Sequence, residues 1–194
     1  MGRTSEITPL RVGMTTTIPV EVILAAGATP VDLNNVFVNS SSPTNHVERA
    51  ERDGYPASSC CWIKGIHSVV VDGDAVEAIV AVTEGDCSTT LGLVETLQDL
   101  GSVRVIPFAF PYDGDRRSLI SEIDKFARAM RTTLDDAETV RTDLARVRNK
   151  LRKLDSATWR DGTVTGTENF KWLVASSDFD GDPDTFETRL DAFM

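Results

Sequence analysis

Cys60, Cys61 and Cys87 are the three cysteines of this 194-residue chain and the residues best suited to do chemistry. An odd, sparse set without a secretory signal does not make a disulfide framework. A thiolate is a soft ligand for iron or zinc, so placement decides whether it is offered as one. Cys87 follows the apolar run Ala78 to Val82 and stands at the mouth of the next predicted helix. Cys60 likewise stands at a predicted helix start, just after Ser58 and Ser59. A helix N-terminus presents free N–H groups to an anionic sulfur. Two such sulfurs at one sheet edge are half of a metal site, against the plainer reading of two free thiols beside helix caps. No Cys-x-x-Cys pair supports zinc. His46 is expected in solvent on a polar helix and His67 packed within the Cys60 helix, and neither makes a zinc spacing with a cysteine. A Cys60–Cys61 disulfide would be strained and out of place in a reducing cytosol.

The elements that must position these residues follow from periodicity and punctuation. Residues 11–14 read as a first strand. Pro19 suits the first turn of a helix over Val20 to Ala26, stopped by Gly27. Thr29 to Leu33 reads as a second strand, with Val31 and Leu33 alternating. Pro43 to Arg52 reads as a polar surface helix, and Gly54-Tyr55-Pro56 breaks the chain. Ser58 and Ser59 are the expected N-caps of a helix from Cys60 to about Val70, ended by Gly73. Ala78 to Val82 has the length and continuity of a central parallel strand. A turn over Thr83 to Asp86, a helix over Ser88 to Leu100 closed by Gly101, and a strand over Val103 to Phe108 follow.

This alternation predicts an α/β fold, a doubly wound, Rossmann-like parallel sheet, in which ligands collect outside the carboxyl ends of the strands. After a turn at Pro111 to Asp115, Leu119, Ile120, Ile123, Phe126, Ala127 and Met130 recur at helical spacing. Val140, Leu144, Val147, Leu151 and Leu154 form a narrower, heptad-like seam. Residues 156–181 are rich in Thr, Ser, Gly and Asp and read as a long connection, after which Asp182 caps a last helix from Pro183. The expected division is an α/β domain over residues 1–133 and a helical extension over 134–194.

Composition bounds the rest. A formal net charge of −10 argues against nucleic-acid binding. No apolar run approaches a membrane span, and the first residues lack the core of a secretory signal, so a cytoplasmic protein is expected. A myristoylation reading of Met1-Gly2 lacks a second membrane signal. Aspartate outnumbers glutamate 19 to 11 and arginine outnumbers lysine 15 to 5, a bias that suits a salt-rich cytoplasm. The basic stretch Arg141 to Lys153 reads as a solvated helix face balanced by the acidic tail. Asp178-x-Asp180-x-Asp182 imitates a calcium loop, but Pro183 and Arg189 occupy positions that need Gly and an acid. No GxGxxG, Walker or Gly-x-Ser-x-Gly motif is present.

Three segments together carry a family resemblance. Ile18-Pro-Val-Glu-Val-Ile-Leu-Ala-Ala-Gly-Ala-Thr-Pro-Val-Asp32 resembles the opening of the 2-hydroxyacyl-CoA dehydratase and benzoyl-CoA reductase family. Ser59-Cys60-Cys61-Trp62-Ile63-Lys64-Gly65 resembles its first cluster segment, a Cys followed four residues later by Lys or Arg. Thr83-Glu84-Gly85-Asp86-Cys87 resembles its second, in which a strand runs into a turn carrying the second Cys. The region from Trp159 to Phe179 is similar to the inter-domain region of archaeal members.

The resemblance implies a [4Fe–4S] cluster with Cys60 and Cys87 as ligands, Cys61 being a poor third because adjacent cysteines seldom reach two irons of one cube. It implies Lys64, Glu84 and Asp86 as candidates for roles beside the sulfurs, with helix capping the alternative for Asp86. The implied reaction is removal of water from a 2-hydroxyacyl-CoA by one-electron reduction at the thioester carbonyl. The implied partners are the acyl-CoA, a partner dehydratase subunit or second half, and an ATP-dependent iron–sulfur activator protein. Family members are longer and draw a third cluster cysteine from a second α/β domain, so a truncated or split enzyme is expected. A component of a related aromatic acyl-CoA reductase, or a non-catalytic interaction or regulatory module, is the alternative.

Overall fold

The computed structural model describes residues 9–73 and 75–194; Met1-Gly2 and the rest of the first eight residues lie outside it. Strands β1 (Arg11–Met14), β2 (Thr29–Asp32), β3 (Ala78–Glu84) and β4 (Arg104–Ala109) form one wholly parallel sheet in the order β2-β1-β3-β4. Helix α1 (Val20–Ala25) connects β1 to β2; α2 (Leu33–Val38), α3 (Pro43–Arg52) and α4 (Cys61–Val71) carry the chain from β2 to β3; α5 (Thr89–Leu100) connects β3 to β4. Helices α6 (Arg116–Ala129), α7 (Leu134–Ser156), α8 (Gly166–Ala175) and α9 (Pro183–Phe193) follow.

Alternation along β3 explains why helices cover both faces. Ala78, Val80 and Val82 point into one core with Val22, Ile23, Phe126 and Phe108. Ile79 and Ala81 point into the other with Leu33, Phe37, Ile66, Leu93 and Leu97. Each core removes apolar surface from water on its own side, the driving force for winding the chain both ways. The heptad-like seam joins the first core: Leu144, Val147, Leu151 and Leu154 of α7 are buried there with Phe179, Phe186 and Leu190.

Departures from the sequence expectation cluster where one element follows another without a loop. Leu33 is the first residue of α2 rather than the end of β2, because Asp32 closes the strand and accepts from the N–H groups of Asn34 and Asn35 as an N-cap. Cys60, not Ser58 or Ser59, is the N-cap residue of α4. The region 156–181 is not a bare connection. It holds a π-helical turn over Ala157–Asp161 and then α8, fastened by a Thr165–Glu168 capping box. Gly65 sets the spacing between α2 and α4, since a Cβ there would lie 2.4 Å from the Phe37 ring.

Candidate functional site

The sheet reverses direction between its two central strands: the chain leaves β1 toward β2 on one side, and leaves β3 toward β4 on the other. In open α/β sheets the crevice at this point, outside the carboxyl ends of the strands, is where ligands bind. A cleft of about 360 Å³ opens there. Thr15 and Thr16 enter it from the end of β1, Asn34 from α2, Cys60, Trp62, Ile63 and Ile66 from the N-terminal half of α4, Asp86 and Cys87 from the turn after β3, and Thr90 from the first turn of α5. The two thiols thus line one cleft, reached from opposite ends of the α4–β3 unit.

Two of the three helix N-termini at this cleft lack a side-chain cap, as do α1 and α3 elsewhere. Cys60 precedes α4 and Ser88 precedes α5, and neither side chain accepts from the first turn. By contrast α2, α6, α7, α8 and α9 each have one. The Sγ of Cys87 lies 2.7 Å from the Thr89 hydroxyl. Thr90, in the first turn of α5, is 1% exposed and lines the same cleft. Trp62, half exposed, stands edge-on against Phe37 with ring centroids 5.7 Å apart and walls the cleft on the α2 side.

The remaining candidates take different places. Cys61 is exposed and does not line the cleft. Asp86 lines it and, among the described residues, makes no hydrogen bond to the start of α5, correcting the capping alternative. Glu84 accepts the backbone N–H of Tyr112 at 3.0 Å, so its carboxylate fastens the loop after β4. The turn that follows is tight: Gly85 has φ 84°, and a Cβ on it would meet Phe110 at 2.6 Å.

Lys64, a residue type usually found in solvent, is 1% exposed; its ammonium donates to Glu51 at 2.6 Å and to the Ala57 carbonyl at 3.0 Å. His67 is fully buried and bonded to Asp53 at 3.2 Å. Burial of Asp53 works to raise its carboxyl, but hydrogen bonds from His67 and Arg49 hold it below the usual carboxylate range. His46 is not free in solvent; it meets Ser40 Oγ at 3.0 Å and lies 3.7 Å from Asp72.

The carboxylates of the calcium-like sequence are spent on the fold. Asp178 accepts from the N–H groups of Asp32 and Asp180, Asp180 pairs with Arg189, and Asp182 caps α9. The basic face of α7 is answered by the acidic last helix, Arg146 by Asp184 and Glu187, and Lys150 by Glu187 and Asp191.

A [4Fe–4S] cluster needs three or four protein ligands, commonly all thiolates. Cys60 and Cys87 fit two of those positions, on one cleft and at uncapped helix starts whose N–H groups suit anionic sulfur. Among the described residues no group of three or more His, Cys, Asp or Glu side chains gathers in a way that holds a metal ion. The fit is therefore to half of a ligand set.

The chain matches the model of the family described as 2-hydroxyglutaryl-CoA dehydratase, D-component, over residues 15–194. The chain belongs to that family. The match takes in the whole thiol cleft, from Thr15 to Thr90, as well as the helical region through α9. Among curated proteins no significant match is found. In this D-component family member, sequence reasoning passed over Thr15, Thr16, Asn34 and Thr90 as cleft residues. The only local signal was the hydroxyl-rich run Ser88-Thr89-Thr90 at a helix start; the other three reach the cleft through sheet topology.

Proposed function

We propose that this chain is the part of a 2-hydroxyacyl-CoA dehydratase-like enzyme that supplies Cys60 and Cys87 as two ligands of a [4Fe–4S] cluster. The observation that carries the reading is the meeting of two thiols in one cleft at the strand-order reversal. When bound, such a cluster supplies a single electron and a Lewis-acidic iron to the thioester carbonyl. The chain's own residues supply the setting. The Thr89 hydroxyl holds the Cys87 sulfur. Trp62, Ile63 and Ile66 keep water from one wall, and Thr16, Thr90 and Asn34 offer polar groups to a substrate carbonyl or hydroxyl.

A cube held by two thiolates is under-ligated, so a third ligand comes from a second domain or a partner dehydratase subunit. The substrate is an acyl-CoA, and an ATP-dependent iron–sulfur activator protein delivers the electron. The family membership and the net charge of −10 suit a soluble enzyme component with no nucleic-acid partner, and no described helix is long and apolar enough to cross a membrane.

Anaerobic purification followed by iron and sulfide reconstitution tests this. The chain, alone or co-expressed with a partner subunit, is expected to gain broad visible absorbance, which Cys60→Ala and Cys87→Ala each remove. A folded but colourless protein, or a complex whose iron content ignores Cys60→Ala, sinks the proposal. It would leave the fold as a non-catalytic interaction module.

A further inference from the structure

The most costly side-chain placement near the cleft belongs to Lys64. An ammonium taken out of water destabilises the fold unless it is paired and hydrogen-bonded, and a methionine would fill similar space without that cost. Lys64 nevertheless sits 1% exposed on the inner side of α4, with Glu51 at 2.6 Å and the Ala57 carbonyl at 3.0 Å. Glu51 belongs to α3. Ala57 belongs to the irregular connection over residues 53–60, which ends in Cys60. The backbone N–H of Lys64 also donates to the Cys60 carbonyl at 3.1 Å. One residue thus grips the sulfur-bearing residue through its main chain and the segment leading to it through its side chain.

Two further anchors follow along the same side of α4. His67 bonds Asp53 at the start of the connection, and Ser68 Oγ donates to the His46 carbonyl at 2.6 Å. These polar anchors run along the α3–α4 seam beside the buried Ala50 and the half-buried Val47. Such a seam is directional in a way apolar packing is not, so it fixes where the connection ends as well as holding it down.

We infer that Lys64 is a positioning residue for Cys60: its ammonium clamps the 53–60 connection to α3 and so fixes where the Cys60 sulfur enters the cleft. The consequence for metal binding rests on the function proposed above; the clamp itself does not.

The test uses the full chain in a Cys61→Ser background, free of metal, and follows alkylation of Cys60 and Cys87 separately by peptide mass. Lys64→Met is expected to speed alkylation of Cys60 by roughly tenfold, the ratio given by about 1.4 kcal/mol of lost local stability, while Cys87 keeps its rate. Glu51→Gln, at a partly exposed position, is expected to move Cys60 in the same direction by less. Circular dichroism establishes that each variant is folded. Unchanged Cys60 reactivity in folded Lys64→Met overturns the inference. So does an equal rise at both thiols, which would mark general loosening. Iron and sulfide reconstitution of the same variants is a separate readout. Colourless protein in every variant defeats the cluster proposal and leaves the alkylation result standing.

Discussion

The carboxyl edge of the sheet is finished in two ways. Over β2 the chain answers its own polar groups: Asp178 accepts the N–H of Asp32 at 2.7 Å, Ser177 donates to the Asp32 carboxylate, and that carboxylate caps α2. Phe179 is buried beside them even though it and Asp180 adopt left-handed backbone, with φ 54° and 51°. Over β1 and β3, a few ångströms along the same edge, two helices begin without a cap. Two thiols and the Asp86 carboxylate line an open cleft there. One rim spends its carboxylates on its own backbone, and the other leaves its helix starts and its sulfurs open to the cleft.

If the contrast is right, damage to the two rims should have opposite signatures. Phe179→Ala should have the largest effect, about 3–5 kcal/mol lost in urea unfolding, because a large buried ring packed on Phe186 is removed. Asp178→Ala should come next, at about 1–3 kcal/mol, since two backbone N–H groups lose an ionised acceptor. Burial pushes the Asp178 carboxyl up, against the pull of the Asp32 and Asp180 N–H groups. The folded chain therefore keeps this proton to higher pH than the unfolded chain does. The associated stability is present below the ordinary carboxylate range and is lost as pH rises through the raised value. Asp178→Asn should flatten that decline, measured as the urea midpoint against pH. Cys87→Ala should have the smallest effect on folding, within about 0.5 kcal/mol, while removing reconstituted absorbance. A Cys87→Ala penalty as large as that of Phe179→Ala would erase the distinction between the rims.

Legibility in the sequence divided along similar lines. The strands and most helices were readable because apolar runs and Gly or Pro punctuation are local signals. Helix α2 was not, because Asp32 ends β2 and caps the next element in a single residue, so no turn sequence intervenes. Helix α8 was hidden because it buries no residue and so lacks an apolar stripe; its one signal was Thr165 three residues before Glu168. At the site, the cysteines could be placed at helix starts from spacing. The burial of Lys64 could not be read, since it depends on Glu51 and Ala57 folding back across α4. The cleft hydroxyls from β1 became neighbours of the thiols only through the strand order.

The descent through α4 and the return through β3 act as a tape measure between the two sulfurs. The 11 residues of α4 span about 16 Å and the 7 of β3 about 23 Å. The helix is the shorter of the two, so the height at which Cys60 meets Cys87 depends on every turn of α4. One helical turn removed from α4 would draw Cys60 down and away from Cys87. Across related chains the helix should therefore hold its length.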